Sequence, residues 1–309
     1  MSFIIAIKTT AIACICLGIL LISSDVMSQS KDSISNALDL IDLKFDHQEI
    51  DSMRTNLQDQ KNSYRSIRKN AISNDVPYSL IFVPPLNMER IPEEQEAIDW
   101  QLDAEVSLPD NINDLAFYPV YKLSSLIKAQ KISSVELTGL FLDRLKKYGD
   151  TLECVITITD SLALAQARRA DEELKNGIYR GPLHGIPYGV KDLLAVKAYK
   201  TTFGAMPFKD QKLNYNASIV DKLEEAGAVL VAKLTLGALA WGDVWYGGKT
   251  RNPWNLKEGS SGSSAGSTSA TVAGLVPFAI GSETWGSIVS PAAVCGATGL
   301  RPTYGRVSK

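Results

Sequence analysis

One lysine has surroundings that would suit it to act as a base. Lys191 lies in the segment GPLHGIPYGVKD (181–192), with Val190 before it and Leu193 and Leu194 shortly after it. A lysine in water keeps its proton, because its ordinary pKa is near 10.4. Burial among apolar side chains disfavours the ammonium form and can lower the pKa by several units. The setting of Lys191 therefore predicts a buried lysine that can accept a proton.

Two segments rich in glycine and serine supply candidate nucleophiles. They are SGSSAGSTSA (261–270) and GSETWGSIVSPAAVCG (281–296). A serine hydroxyl is a poor nucleophile until a neighbouring base takes its proton. Glycine-rich backbone can approach a ligand closely and can adopt positive φ angles. We therefore expect the site to lie in this part of the chain, with acyl transfer as its chemistry.

In this order and at these spacings, the three segments resemble the amidase signature family. That family has a lysine in a GVKD-like strand, a GGSSGG-like loop, and a nucleophilic serine in a GGS turn followed by a proline. The similarity runs from about Asp114 to the end of the chain and includes NPWN (252–255) and GLRPTYGRVS (299–308). The resemblance implies hydrolysis of carboxylic amides or esters, with no metal or organic cofactor.

The resemblance also assigns catalytic roles to three residues. Ser287 would attack the carbonyl carbon, Ser263 would relay the proton, and Lys191 would be the base; water would later release the acyl group. Ser263 is preferred to Ser260 because it lies at the family's usual separation from Ser287. In the family the peptide bond of this bridging serine is cis.

The resemblance places the oxyanion hole in the backbone just before the nucleophile. The N–H groups of Thr284, Trp285 and Gly286, together with that of Ser287, would bind the developing negative charge. Trp285 stands where many family members have glycine. Its N–H is retained, so we expect the hole to form and the indole ring to narrow the acyl site.

A different nucleophile is formally possible in the first serine-rich segment. GSSAG (262–266) matches the G-x-S-x-G nucleophile elbow, which would make Ser264 the nucleophile of an α/β-hydrolase. That elbow follows a strand, whereas NLKEGS looks like a loop, and the required later histidine is absent because none follows His184. We expect His184 to be a turn residue bonded to backbone, and Asp192 to brace the lysine strand.

Two alternative functions remain open. The family includes subunits of a glutamine-dependent tRNA amidotransferase, although an export leader argues against that function because charged tRNA is cytoplasmic. The chain stops at Lys309, whereas family members continue well beyond this point. A truncated, inactive family member that acts as a binding protein is therefore the third possibility.

The N-terminal residues are typical of an export signal. Thr9–Ile22 is apolar and follows Lys8, and Val26 and Ser28 are small enough for the −3 and −1 positions of a cleavage site. We predict a periplasmic or secreted protein, or one anchored in the membrane by an uncleaved leader. Cleavage would leave Cys154 and Cys295, which we expect to be buried free thiols.

Composition is typical of a globular protein. The chain has 309 residues, 45% of them hydrophobic, and a net charge of −2 with no long run of one sign. Nucleic acid is therefore not an expected partner. The two histidines and the cysteine spacing do not indicate a metal site. The resemblance implies a small amide or ester as the partner, and the oligomeric state is open.

Alternating helix and strand patterns predict an α/β protein. The helices are expected at residues 135–149, 161–176 and 221–226; Ser133 and Glu136 fit a capping box at the start of the first helix, and Gly149 ends it. Strands are expected at 154–159, within 186–196, and at 228–232. The resemblance implies an α/β/α sandwich around a central mixed sheet, incomplete at its C-terminus.

We divide the chain into three parts. Residues 1–28 form the signal peptide or anchor. Residues 29–112 form an extension with one or two surface helices followed by a proline-rich connector. Residues 113–309 form the N-terminal portion of the amidase domain.

Overall fold

The computed structural model describes residues 33–70, 72–73, 76, 98–102 and 105–308. The chain divides into two compact units, Met1–Tyr78 and Ser79–Lys309. The predicted leader lies outside the described residues, as does most of the proline-rich connector. No helix in the described ranges combines the length and the apolar character needed to cross a membrane.

Among the described residues of the first unit there are two helices, where one or two surface helices are expected. Helix α1 covers residues 33–40 and helix α2 covers His47–Lys69. Asp46 caps α2 by accepting the N–H groups of Gln48 and Glu49, and Glu49 completes a capping box. Almost all of α2 is exposed, with Ile50 as its buried residue. This agrees with the prediction of surface helices.

A four-stranded mixed sheet is the centre of the second unit. Its strands are β1 (Val155–Ile158), β2 (Pro187–Lys191), β3 (Val229–Leu234) and β8 (Ala279–Ile280), in the order β1-β3-β2-β8. Strand β1 is antiparallel to β3, and β2 is parallel to both β3 and β8. Two small hairpins, β4–β5 (Val244–Trp245, Gly248–Lys249) and β6–β7 (Arg251–Asn252, Asn255–Gly259), lie between β3 and β8 in the chain.

Helices pack on both faces of this sheet. The α-helices are α3 (Val120–Lys128), α4 (Ser134–Leu152), α5 (Asp160–Lys175), α6 (Ser218–Glu225), α7 (Ala265–Val272) and α8 (Val289–Cys295). On β3, Val229 and Val231 pack in a core cluster with residues of α4 and α5, whereas Leu230 packs with residues of α6. Successive strand residues point to opposite faces, so both faces are covered. The predicted α/β/α architecture around a mixed sheet is confirmed.

The capping box at Ser133 and Glu136 is confirmed, but the predicted end of the helix is wrong. Helix α4 continues past Gly149 to Leu152 and ends at Glu153 in the left-handed conformation. Gly149 is buried, and a Cβ at this position would lie 3.0 Å from Cγ2 of Val155 at the start of β1. Glycine is present here because the helix and the strand pack closely, not because the helix ends.

Other boundaries differ by a few residues. Helix α6 begins at Ser218, before the predicted Asp221, because its first turn includes Val220, which packs in the core. Strand β3 continues to Leu234, past the predicted Ala232. Strand β2 ends at Lys191, and Asp192 begins a turn. The lysine is therefore at the carboxyl end of a central strand.

Candidate active site

Lys191 is fully buried at the end of β2. Burial lowers its pKa from the ordinary value to about 7. Near neutral pH a substantial fraction of this side chain is therefore an uncharged amine. The structure thus places the lysine in the environment that its apolar flanks predicted.

Oxygen atoms of three serines surround the amine. Lys191 Nζ lies 2.8 Å from Ser263 Oγ and 3.2 Å from Ser264 Oγ. It also lies 2.9 Å from Ser282 Oγ and 3.3 Å from the Ser282 carbonyl oxygen. No carboxylate of a described residue is among these partners, so burial is not offset here by an ion pair. The environment favours the neutral amine.

Ser263 comes from the loop that leads into α7. The Gly262–Ser263 peptide bond is cis, as the resemblance implied. The loop packs tightly on its neighbour, since a Cβ at Gly262 would lie 1.9 Å from the carbonyl oxygen of Gly242. Glycine is therefore required at this position for close approach of two backbones.

Ser287 lies in the turn just before α8 and is partly buried. Its carbonyl oxygen accepts a hydrogen bond of 3.0 Å from the N–H of Ser264, the residue that follows Ser263. This bond joins the two serine segments side by side. The structure therefore brings Lys191, Ser263 and the Ser287 segment together at one end of the sheet.

A carboxylate that is largely shielded from solvent supports the turn that carries Ser287. Glu283 Oε2 accepts hydrogen bonds from the N–H groups of Ile288 (2.8 Å) and Val289 (2.9 Å), and Oε1 pairs with Arg301 Nε at 3.0 Å. Burial alone would raise the pKa of Glu283. The hydrogen bonds from the N–H groups of Val289, Ile288 and Gly286 lower it by more, so the pKa is below its usual value. Glu283 therefore stays ionised and stabilises the turn through these hydrogen bonds.

The backbone proposed for the oxyanion hole is partly available. In the described part of the chain, the N–H groups of Thr284, Trp285 and Ser287 donate no hydrogen bond. The Gly286 N–H instead interacts with the Glu283 carboxylate. The oxyanion hole at Thr284, Trp285 and Gly286 stays a prediction. Of these three residues, Gly286 is the one whose N–H already has another acceptor.

The structure also bears on the other candidate residues. Ser264 is buried, and its hydroxyl bonds to the Ser282 backbone at 3.0 and 3.1 Å, which leaves it poorly placed for attack on a substrate.

His184 lies 2.9 Å from the Ala170 carbonyl oxygen through Nε2 and accepts the Arg180 N–H through Nδ1 at 3.3 Å. Its expected role as a turn residue bonded to backbone is confirmed.

Asp192 braces the lysine strand, as expected. Its carboxylate forms an ion pair with Lys233 Nζ at 2.6 Å, and both side chains are fully buried. Asp192 Oδ2 also accepts hydrogen bonds from the N–H and the hydroxyl of Thr202. The loop containing Thr202 is therefore fixed to the end of β2.

Sequence reasoning missed the roles of Ser282 and Glu283. The signal lies in the topology of the sheet: both residues follow β8, and β8 is parallel to β2. The carboxyl ends of parallel neighbours meet at one edge of a sheet, so residues just after β8 must lie near Lys191. That argument requires the pairing of β8 with β2, which the short strand pattern did not reveal.

Comparison with known proteins agrees with this geometry. Residues 136–309 match the model of the family described as Amidase. The chain belongs to the amidase signature family. It is 44% identical over 193 residues to the A subunit of the glutamyl-tRNA(Gln) amidotransferase of Coxiella burnetii, a match that covers 62% of this chain and 40% of that protein. The corresponding subunit of Methylococcus capsulatus is 44% identical over 191 residues, 61% of this chain and 39% of that protein.

Solved structures of family members share the fold. The native peptide amidase from Stenotrophomonas maltophilia superposes with a TM-score of 0.60 at 36% identity, covering 64% of this chain and 42% of that one. An amidase family protein from Bacillus anthracis superposes with a TM-score of 0.54 at 31% identity, and the match covers 59% of this chain and 38% of that one. The chain spans about 40% of the length of the curated relatives that it matches.

Proposed function

We propose that this protein hydrolyses carboxylic amides through a covalent acyl-enzyme formed on Ser287. One observation carries the proposal. Lys191, buried and with a pKa of about 7, has its Nζ 2.8 Å from Ser263 Oγ in the loop hydrogen-bonded to the Ser287 segment. A base near its own pKa at neutral pH is suited to proton transfer.

In the proposed reaction, protons and bonds balance at each step. Ser287 Oγ forms a bond to the carbonyl carbon while its proton passes to Ser263, and the Ser263 proton passes to neutral Lys191. Lys191 returns a proton through Ser263 to the leaving nitrogen as the C–N bond breaks. Water then attacks the acyl ester and gives its proton through Ser263 to Lys191. The C–O bond to Ser287 breaks, the Ser287 oxygen regains the proton, and the carboxylic acid leaves.

The oxyanion of each tetrahedral intermediate needs donors held in place beforehand. We propose the N–H groups of Thr284, Trp285 and Ser287, with Gly286 joining them if the turn adjusts on substrate binding. Loss of one such donor typically costs about 2.7–4 kcal/mol of transition-state stabilisation. Glu283 supports this arrangement because it fixes the start of α8 immediately after the turn.

The second candidate function is that of a component of a tRNA-dependent amidotransferase. It is favoured by the 44% identity to the A subunit of glutamyl-tRNA(Gln) amidotransferase. Amide turnover that requires glutamyl-tRNA would identify this function. Turnover of small amides by the purified chain alone would identify the hydrolase.

We also propose that the protein is exported, on the basis of the leader at residues 1–28. Its apolar stretch and small residues before Gln29 have the order of a cleavable signal. Export favours the hydrolase, since the amidotransferase substrate would be absent outside the cytoplasm.

Covalent labelling tests the mechanism directly. A fluorophosphonate probe reacts with an activated serine, so we expect stoichiometric labelling of the wild-type chain, with the probe found on the peptide containing Ser287. Ser287→Ala and Lys191→Ala should each abolish labelling, because one lacks the nucleophile and the other lacks the base. Intact-protein and peptide mass spectrometry provide the measurement.

Ser290→Ala is the matched control, because Ser290 is an exposed serine in the first turn of α8 whose hydroxyl contacts that of Ser261 at 2.9 Å and has no role in the proposed reaction. It should label like the wild type. Labelling that persists in Ser287→Ala would refute the assignment of the nucleophile. A folded wild-type chain that takes no label would instead support the inactive binding protein.

A further inference from the structure

Two large aromatic side chains stand exposed beside the candidate active site. Trp241 is 74% exposed and Trp285 is 84% exposed. Their rings lie 6.3 Å apart between centroids, at an interplanar angle of 29°. Each tryptophan presents a large apolar area, and such rings are normally buried. Two exposed tryptophan rings side by side are typical of a binding surface.

Trp285 belongs to one of the two serine-bearing segments, and Trp241 lies in a loop that packs against the other. Trp285 is two residues before Ser287 in the same turn. Trp241 precedes Gly242, whose carbonyl oxygen would lie 1.9 Å from a Cβ at Gly262. Gly262 in turn precedes Ser263. The indole pair therefore lies beside both the turn that carries the proposed nucleophile and the loop that carries its proton relay.

The backbone before Trp241 is held in an unusual conformation. Leu239 and Ala240 have φ angles of 53° and 65°, a region that residues with a side chain rarely occupy. The Leu239 N–H donates to the Phe203 carbonyl oxygen at 2.9 Å, and the Ala240 N–H donates to that of Gly237, also at 2.9 Å. A Cβ at Gly237 would lie 2.0 Å from the Gly242 carbonyl oxygen, and this close approach also constrains the turn. The loop thus presents Trp241 toward Trp285 rather than toward the core.

We propose that Trp241 and Trp285 form a recognition surface for an aromatic ring of the amide substrate. This inference rests on the proposed function and names the substrate class for it: amides that carry a planar aromatic group close to the scissile bond. Aromatic rings bind other rings by offset stacking or edge contact in addition to burying apolar area. The position of Trp285 next to the nucleophile places such a ring within a few bonds of the carbonyl carbon.

Three amides test the inference. Phenylacetamide and acetanilide are isomers that carry the ring on the acyl side and on the amine side, and acetamide has no ring. We expect Trp241→Ala and Trp285→Ala each to lower, about tenfold, the ratio of kcat/KM for one of the aromatic isomers to kcat/KM for acetamide. The ratio is the readout because the Trp285 N–H also belongs to the proposed oxyanion hole. The isomer that is affected shows on which side of the bond the ring binds.

Trp254→Ala is the matched control. Trp254 is 76% exposed but lies in the turn between β6 and β7, with its Nε1 donating to the Cys295 carbonyl oxygen at 2.8 Å. It should leave all three kcat/KM values unchanged. Circular dichroism and thermal unfolding of each variant show whether the variants fold alike.

The outcomes separate the two proposals. If the wild type cleaves acetamide and the tryptophan variants affect all three amides equally, the recognition surface is refuted and the hydrolase stands. If no amide is turned over and Ser287 takes no fluorophosphonate, both proposals fail. If the variants only change the sedimentation coefficient, the tryptophan pair is an interface between copies of the chain, and the inference is overturned.

Discussion

At the scale of single residues, the site depends on how one amine shares its hydrogen bonds. A neutral lysine has two N–H donors and one lone pair. The carbonyl oxygen of Ser282 can only accept, so it takes a donor from Lys191, whereas the hydroxyls of Ser263 and Ser282 can accept or donate. Because the shortest of these contacts is to Ser263, its hydroxyl is well placed to donate to the lone pair. The direction of that hydrogen bond determines whether a proton can leave the serine.

The pKa of Lys191 predicts how reactivity changes with pH. The amine is protonated below about pH 7 and neutral above it, so the base exists only on the alkaline side. We expect the second-order rate of fluorophosphonate labelling to rise about tenfold between pH 6 and pH 8 and then to level off. Labelling stopped at fixed times at each pH gives the rate as a function of pH.

The Ser290→Ala variant should reproduce the wild-type profile in that experiment. A rate that is flat from pH 6 to pH 9, or one that rises only near pH 10, would mean that Lys191 is not the group that titrates. The same profile measured as kcat/KM for acetamide should show the same apparent pKa, because both report the free enzyme.

At the scale of helices and strands, periodicity and capping predicted much of the fold. The capping box at Ser133 and the apolar runs of β2 and β3 are local signals, and the elements they predict are present. Gly149 misled the prediction because a glycine that ends a helix and one that lets a strand approach look the same in sequence. The roles of Ser282 and Glu283 could not be predicted, because they depend on β8 lying beside β2, a contact between distant parts of the chain.

The buried ion pair between Lys233 of β3 and Asp192, the residue after β2, stabilises the strand that ends in Lys191. Lys233 lies opposite Val190 in the parallel register, and its Nζ reaches the Asp192 carboxylate and, at 2.6 Å, the Thr201 hydroxyl. Burial lowers the pKa of Lys233, and the charge of Asp192 partly opposes this. Lys233→Met would leave the Asp192 charge buried without its partner. We expect a loss of about 3–5 kcal/mol in the free energy of unfolding, measured by urea denaturation.

The double variant Asp192→Asn, Lys233→Met distinguishes the ion pair from simple packing. It removes both charges, so it should be more stable than Lys233→Met alone. If the single variant lost less than about 1 kcal/mol, or if the double variant were the less stable of the two, the pair would not hold the strand as argued.

At the scale of the whole molecule, the proposed export must be compatible with free cysteines. Cys154 and Cys295 are both buried and form no disulfide with each other or with any other described residue. Burial raises the pKa of Cys154 to about 12 and that of Cys295 to about 11. The reactive species is the thiolate, which these pKa values suppress at neutral pH. Two lone thiols can therefore persist in an oxidising compartment without a partner.

Thiol titration tests export and thiol burial together. Cys14 and Cys16 lie in the predicted leader, so cleavage before Gln29 would leave two cysteines, whereas an uncleaved chain has four. For the protein purified from the exported fraction of expressing cells, we expect almost no reaction with a thiol reagent in the folded state and two thiols per chain after denaturation. Four thiols would show that the leader is retained, and rapid reaction of the folded protein would contradict the burial of Cys154 and Cys295. Cys295→Ala serves as the control, because it should lower the count after denaturation from two to one while leaving the folded protein unreactive.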